Sequence, residues 1–357
     1  MEKRARIGIV GVGWWGTVGH LEPLTADARA EVVAVSSRTE EKARDRARRY
    51  DVARYYTDYR RMIDECELDG VIIATTPNVH YEQARYALEH GVHVLMEKPF
   101  VLRADHARDL ARLAKEQDLL LTVCHPILYN PMMIEARRHI RDGSLGNVLA
   151  ISALFSQRVY DLYKGDVSAF MQAGHRSAGR PQPNARSYAD PAIVGGGEGH
   201  TQASHIIGAI LWITGLRPAS VFAYMNRLDV DVDVVDAMTI RFSGGALATV
   251  MANGLLPPQV GASSIHIQGD GGLLSFDSLG RTMYIQTAEN KHQSEITTSH
   301  HGSGGLAAVP KNFVRTILGE EELYVETDVA IDEVRILDAA YRSAADGEQI
   351  DIETEQS

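Results

Sequence analysis

The sequence predicts an α/β domain with a parallel sheet, followed by an α+β domain built on a large, mostly antiparallel open sheet. Three observations carry this reading. An apolar run, Ile7 to Val10, breaks into Gly11-Val12-Gly13-Trp14-Trp15-Gly16. Strand-like and helix-like segments then alternate as far as Val123, and the strands are continuous Val, Ile and Leu runs, as in parallel sheets covered on both faces. From Ser220 to Asp277, short segments alternate apolar and polar residues between glycine turns, the pattern of an antiparallel meander with one covered face. The texture changes after Val123, which places the domains at 1–123 and 124–357.

The first turn is the most informative stretch. Gly11 permits the tight turn, Gly13 lets a pyrophosphate approach bare backbone, and Gly16 lets helix and strand pack closely. A helix starting here offers unpaired N–H groups and a positive dipole end to phosphates. Trp14 and Trp15 either wall such a site or pack. A second strand, Glu31 to Val35, follows at βαβ distance, so the segment reads as the dinucleotide turn of a Rossmann domain. About twenty residues beyond the glycines, an acidic residue normally binds the adenosine ribose diol. This chain has Ser37 and Arg38 there, and a guanidinium suits a 2′-phosphate. That favours NADP over NAD; as a plain surface residue, Arg38 would only cap the next helix, Glu40 to Tyr50.

Tyr55 to Asp58 leads into a short helix near Arg60–Glu65 and then a buried strand, Gly70 to Thr75. The loop Thr75-Thr76-Pro77-Asn78-Val79-His80 opens a helix, Tyr81 to His90. A short strand, Val92 to Met96, runs into Glu97-Lys98-Pro99-Phe100. A helix, Ala104 to Gln117, and a strand, Leu119 to Val123, complete the alternation. Ligands of such sheets sit at the carboxyl ends of strands, so the loops Gly11–Gly16, Thr75–His80 and Glu97–Pro99 form the expected cofactor site. Cys124 to Asp142 reads as a linking helix interrupted by Pro126 and Pro131, and Asn147 to Ser156 as a strand. Arg158 to Ile193 reads as a long loop over the cleft. Gly195-Gly196-Gly197 ends it before a helix, His200 to Thr214. Lys291 to Gly305 reads as another loop, carrying His300 and His301. Asn312–Leu318 and Asp328–Asp346 read as closing helices.

Composition excludes several classes. Hydrophobic residues make up 45% and charged residues 23%, an ordinary globular balance with enough apolar surface for two cores. A formal charge of −11 argues against nucleic acid or an anionic membrane as partner. Cys66 and Cys124 are too few for a disulfide framework or a cysteine metal cluster. His90, His93 and His125 show no metal-ligand spacing with carboxylates, so no metal is expected. With no signal-like or membrane-length apolar run, the chain reads as cytoplasmic.

With Gly11-x-Gly13-x-x-Gly16, Glu97-Lys98-Pro99 and Gly195-Gly196-Gly197…His205 in order, the chain resembles the Gfo/Idh/MocA oxidoreductases. The likeness extends to Leu145-Gly146 and to Ala339-Ala340-Tyr341-Arg342-Ser343. It implies a Rossmann domain, an open-sheet α+β domain that binds substrate and forms a homo-oligomer (dimer or tetramer), a nicotinamide cofactor, and a sugar, cyclitol or related substrate. The family's lysine falls on Lys98 and its late catalytic histidine on His205. Two departures stand out. The family's aspartate four residues before that histidine is Thr201 here, with Gln202 beside it, and His125 is followed by Pro126-Ile127-Leu128-Tyr129.

Oxidising a secondary alcohol removes a hydride from carbon and a proton from oxygen, so the protein must supply a base beside the nicotinamide. His205 suits proton transfer near neutrality. Lys98 suits polarisation of the reacting oxygen, and a nearby pyridinium would lower its pKa. Thr201 can hydrogen-bond a substrate hydroxyl but cannot act as a carboxylate base. His200, Gln202 and Glu198 are further candidates for substrate contact; Tyr163, Arg158 and Tyr188 are weaker ones. Each has a plain alternative: Lys98 paired with Glu97 at the surface, His205 buried among Ile206, Ile207 and Ile210. Two other functions stay open. One is a glycoside-cleaving enzyme that oxidises transiently with tightly bound NAD and then β-eliminates; the other is a non-catalytic nucleotide sensor.

Overall fold

The computed structural model describes residues 3–172, 181–277, 282–288, 291–295 and 303–352. The chain forms two compact units, one built from Met1–Pro126, Ser177–Ser187 and Ser303–Ile331, the other from the remainder.

In the first unit, strands rich in Val, Ile and Leu form β1 (Ala5–Val10), β2 (Ala30–Ser36), β4 (Gly70–Ile73), β5 (His93–Met96) and β6 (Leu121–Val123), and the polar-aromatic Arg54–Tyr56 forms β3. They make one sheet in the order β3-β2-β1-β4-β5-β6, with parallel ladders. This is the doubly wound order of dinucleotide-binding sheets, whose order reverses between β1 and β4. Ile7, Ile9, Ile72 and Leu95 are wholly buried, as expected for strands covered on both faces. A domain boundary at 123/124 would assign Ser303–Ile331 to the second domain, but these residues cluster with the first unit. The reason is packing: a Cβ at Gly70 of β4 would lie 2.7 Å from Ile317 and 3.0 Å from Phe313, both on helix Ser303–Ile317.

The second unit carries a nine-stranded sheet: β7 (Val148–Ser156), β8 (Pro218–Asn226), β9 (Val235–Phe242), β10 (Leu247–Asn253), β11 (Ala262–Gly269), β12 (Gly272–Asp277), β13 (Thr282–Thr287), β14 (Lys291–Glu295) and β15 (Ile350–Asp351). Their order is β14-β13-β12-β11-β7-β10-β9-β8-β15, and among the described residues every ladder except β7–β10 is antiparallel. Alternation sorts the faces: Met238, Ile240, Val250, Ala252, Ile265 and Ile267 are buried, while Leu247 and Met251, at the intervening positions of β10, are exposed. Helix Ser204–Thr214, apolar nearly all round, packs in the core of this unit.

Four sequence expectations change. Arg158–Ile193 is not one loop, since it holds helices Tyr160–Tyr163, Val167–Gln172, Arg186–Ala189 and Pro191–Val194. Helices of four to six residues complete too few turns to show a 3.6-residue period; Asp190, which caps Ala192 N–H, is the one local signal. Lys291–Glu295 is an edge strand rather than loop, hidden because every residue in it is polar. The helix expected at Asn312–Leu318 starts at Ser303 and runs through Pro310, which reads in sequence as a breaker. The helix expected from His200 becomes α-helical only at Ser204, after a π-helical turn. His300 and His301 lie outside the described residues. Among the described residues, no helix is long and apolar enough to cross a membrane.

Candidate active site

In the first unit, the three glycines after β1 do different things. Gly11 has φ +94°, and a Cβ there would lie 2.6 Å from Ala74 O. A Cβ on Gly16 would lie 1.9 Å from Gly11 O, whereas one on Gly13 meets nothing within 4 Å. Gly13 therefore leaves backbone open while its neighbours hold the turn. The chain enters a π-helical turn, Gly16–Leu21, rather than a regular helix. Trp14 and Trp15, both half-buried, place their rings 5.3 Å apart at 60°. At the end of β2, Ser37 is half-buried and Arg38 is exposed.

The loop after β4 is tied by its own side chains. Thr75 Oγ1 donates to Gln83 Oε1 at 2.6 Å, and Thr76 Oγ1 donates to Asn78 Oδ1 at 2.8 Å. Thr76 and Pro77 stay partly accessible and Asn78 is exposed. His80 departs from expectation. It is wholly buried, with Nδ1 3.0 Å from Pro99 O and 3.1 Å from Phe100 O. Burial pulls its pKa down, so the neutral ring braces the Pro99 turn rather than reaching a ligand.

That turn follows β5, where the Lys98–Pro99 peptide is cis. Glu97 is buried behind it, with Oε1 2.6 Å from His20 Nε2 and Oε2 3.3 Å from the Lys98 N–H that donates to it. Burial alone would raise the Glu97 carboxyl. The hydrogen bond and charge of His20, with Lys98 and the Cys124 thiol, outweigh that and hold it below its usual value. Burial, reinforced by the Glu97 charge, pushes the Cys124 thiol well up. Donor atoms of His20, Glu97 and Cys124 all lie within 4.8 Å of one another. Glu97 takes both the His20 Nε2 contact and a hydrogen bond with Cys124, while His20 Nδ1 is buried without a hydrogen-bond partner among the described residues. Lys98 sits half-buried at the carboxyl end of β5.

In the second unit, Asp233 organises the glycine segment. Its Oδ1 accepts from Gly197 N–H at 2.7 Å and Tyr341 O–H at 2.9 Å, and its Oδ2 accepts from Gly199 N–H at 2.7 Å. A Cβ on Gly197 would lie 1.9 Å from Asp233 O, and one on Gly196 2.0 Å from Tyr341 Oη. These glycines are required by the close approach of that pair. His200 stacks on the Tyr341 ring at 4.4 Å, and burial lowers its pKa to about 4 against the opposing pull of Asp233. Asp236, also buried, is pushed well above the carboxylate range by burial and by Asp233 and Glu198.

Glu198, Tyr163 and Thr201 converge. Tyr163 O–H lies 3.0 Å from Glu198 Oε2 and also bonds the Thr201 hydroxyl. Gln202 pairs with Gln157. His205, half-buried, sits with its ring 5.8 Å from that of Phe155. Arg158 is committed elsewhere, to a two-pronged pair with Asp161 at 2.6 and 2.8 Å. Tyr188 is half-buried. Reading the sequence missed His20, Cys124, Asp233 and Asp236. Asp233 and Asp236 did carry a signal, as acids inside the apolar run Val232-Asp233-Val234-Val235-Asp236-Ala237.

Residues 5–125 match the model of an oxidoreductase family with an NAD-binding Rossmann fold, and residues 133–275 match a GFO/IDH/MocA C-terminal domain. The chain is 25% identical over 257 residues to scyllo-inositol 2-dehydrogenase (NADP(+)) of Bacillus subtilis, covering 72% of this chain and 64% of that one. It is 30% identical over 157 residues to an oxidoreductase of Formosa agariphila, covering 44% and 49%. The match thus spans about half to two thirds of these curated relatives. GenD2 from gentamicin A biosynthesis, solved with NAD, superposes with a TM-score of 0.80 at 25% identity, covering 99% of this chain and 98% of that chain.

Proposed function

The chain belongs to the Gfo/Idh/MocA oxidoreductase family, and from that premise we propose that it transfers a hydride between a nicotinamide cofactor and a secondary alcohol or ketone of a sugar, cyclitol or derivative. The observation that carries the reading is the lysine at the carboxyl end of β5, backed by a sealed carboxylate. In this reading the cofactor's pyrophosphate lies on the open backbone at Gly13, with Trp14, Trp15, Thr75, Thr76, Pro77, Asn78, Glu97 and Pro99 around it, and His80 bracing the turn.

When bound, the nicotinamide supplies the hydride acceptor or donor. Lys98 addresses the reacting oxygen and stabilises charge on it. His205 takes or returns the oxygen's proton. Thr201, Gln202 and His200 shape the substrate side. Ser37 and Arg38 favour NADP, since an exposed guanidinium beside a serine suits a 2′-phosphate better than a free ribose diol. NADP+ reduced no faster than NAD+ would overturn that preference.

The same reading makes the protein a cytoplasmic homo-oligomer. Tyr224, Leu247, Met251 and Tyr284 stand exposed on the outer face of the nine-stranded sheet, 50 to 70% accessible, as a self-association surface would. Sedimentation tests this, with a monomer as the contrary result. A panel of sugars and cyclitols incubated with NAD+ and with NADP+, followed by nicotinamide absorbance, tests the activity. Reduction with at least one polyol is expected, and none across a panel of hexoses, pentoses and inositols would overturn it.

A further inference from the structure

We infer that His20 is a positioning residue for Lys98: it grips one oxygen of the buried Glu97, so that the other holds the Lys98 backbone and a fixed negative charge stands behind the turn that carries the lysine. The inference deepens the proposed hydride transfer and rests on it. Glu97 Oε1 lies 2.6 Å from His20 Nε2, and Oε2 accepts the Lys98 N–H at 3.3 Å. One carboxyl group thus ties together two turns that follow different strands, the π-helical turn Gly16–Leu21 after β1 and the Lys98–Pro99 turn after β5. A π-helical turn closes on one residue more than an α-helical one and is found most often where a side chain has a task. Here the side chain on that turn is His20.

Packing alone does not account for a histidine at this position. The ring is wholly buried and Nδ1 has no hydrogen-bond partner among the described residues, so an apolar side chain would fill the space without an unmatched nitrogen. What the imidazole does, and an apolar group could not, is hold Glu97. Four titratable groups face that carboxyl: His20 on the glycine turn, Lys98 next to it, Cys124 after β6 and His80 on the helix after β4. Burial works against the charge of Glu97. His20 is the largest of the causes that oppose burial, ahead of Lys98 and the Cys124 thiol, and together they keep the carboxyl below its ordinary 4.5. Burial also draws the His80 pKa down, so its ring brings no charge to the site at neutral pH. With His20 gone, burial prevails, and Glu97 takes a proton as pH falls toward the acid end of an assay. The lysine turn then loses both the fixed charge and its carboxylate acceptor.

The test is single-turnover reduction of the ketone formed from an oxidised polyol, with saturating reduced cofactor, read as the ratio of variant to wild-type rate from about pH 8 to about pH 5. Taking the ratio removes the titration of His205, which both proteins share. In His20→Leu the ratio is expected to fall about tenfold across that range, the scale of a small misplacement of a reacting group. His20→Asn, too short to reach Glu97, is expected to behave the same way and carries the comparison should His20→Leu not fold. His20→Gln, whose amide can donate to Oε1, is expected to recover most of the rate and a flat ratio. Glu97→Gln cannot ionise, so its rate is lower at every pH with a flat ratio, and His20→Leu added to it brings no pH dependence. Thermal unfolding of each variant confirms that folded protein is compared. A merely structural histidine would lower the rate by one factor at all pH values. A flat ratio in His20→Leu and His20→Asn, or a pH-dependent loss that persists in the Glu97→Gln background, overturns the inference while the role of Lys98 stands. A Lys98→Met protein that reduces the ketone as fast as wild type overturns the parent reading of the lysine, and this inference with it.

Discussion

His20 Nε2 lies 2.6 Å from Glu97 Oε1, with both side chains closed off from solvent. Breaking such a pair from one side leaves the other group buried without compensation, at a cost of about 3 to 5 kcal/mol. His20→Leu is therefore expected to lower unfolding free energy by about 3 kcal/mol, read from urea denaturation. Glu97 also gives the pair a pH signature. Its folded pKa lies below the ordinary 4.5, so its contribution is complete above that pH. As pH falls from there through the lower folded value, the unfolded chain binds a proton that the folded one refuses, and stability is lost. Glu97→Gln is expected to flatten this acid limb; a limb as steep as in wild type would contradict the assignment.

His200 titrates in a different window with the same sign. Burial against Tyr341 holds its folded pKa at about 4, below the ordinary 6.5. The unfolded chain therefore takes up the proton first, and stability falls as pH drops from 6.5 toward 4. At 1.36 kcal/mol per pKa unit, the full effect is about 3 kcal/mol. In His200→Phe, which keeps a ring against Tyr341, stability is expected to change little between pH 6.5 and 4.5. Denaturation midpoints across that range check it.

Gly13 and Gly16 separate binding from folding. A Cβ on Gly16 collides with Gly11 O at 1.9 Å, backbone against backbone, so Gly16→Ala is expected to destabilise the first unit. A Cβ on Gly13 meets nothing within 4 Å. Gly13→Ala is expected to keep the melting temperature of the apo protein and to weaken cofactor binding about tenfold or more, because the methyl would occupy the space proposed for the pyrophosphate. Thermal unfolding alone and fluorescence titration with NADP(H) distinguish the two variants. Equal cofactor affinity in Gly13→Ala would place the phosphates elsewhere.

The alternation of buried strands and helices was legible because the strands of the first unit, the edge strand β3 (Arg54–Tyr56) apart, are rich in Val, Ile or Leu and bounded by polar turns. The meander was legible for the complementary reason, as in β10, where Leu247 to Asn253 alternates exposed and buried positions one by one. β14 lacked any apolar face, and the helices between Tyr160 and Val194 were too short to repeat. Of the candidate site, Lys98 could be proposed because glutamate, lysine and proline at a strand end are an unusual combination. His20 could not, since the pairing that gives it meaning links residues 77 apart in the chain. Thr201 looked like the loss of an acid; only the fold brings Glu198 and Tyr163 to it.

Arg38 is exposed just beyond β2. A charge-assisted bond to a 2′-phosphate at such an accessible position is worth about 1.5 kcal/mol, roughly tenfold in affinity. Arg38→Ala is expected to raise the Kd for NADP+ by about that factor and to leave NAD+ binding nearly unchanged. Titration with both cofactors measures the difference. Equal losses for both would assign Arg38 to the adenine ring, which the two share.

In the proposed reaction Lys98 acts beside the sealed carboxylate of Glu97, and its removal should separate chemistry from binding. Its backbone N–H already bonds Glu97 Oε2, so the backbone position does not depend on the ammonium. Lys98→Met keeps the length of the apolar stem and removes only the charge and its donors. Without them the developing charge on the reacting oxygen goes unstabilised, a loss of about 10²- to 10⁴-fold in kcat. Cofactor affinity, which the proposed function assigns to the glycine turn and the loop after β4, should change far less. Stopped-flow hydride transfer with saturating cofactor reads the first quantity, and equilibrium titration reads the second. If kcat holds while the cofactor Kd rises, Lys98 serves the cofactor, and the proton and charge chemistry at the oxygen belongs to His205 alone.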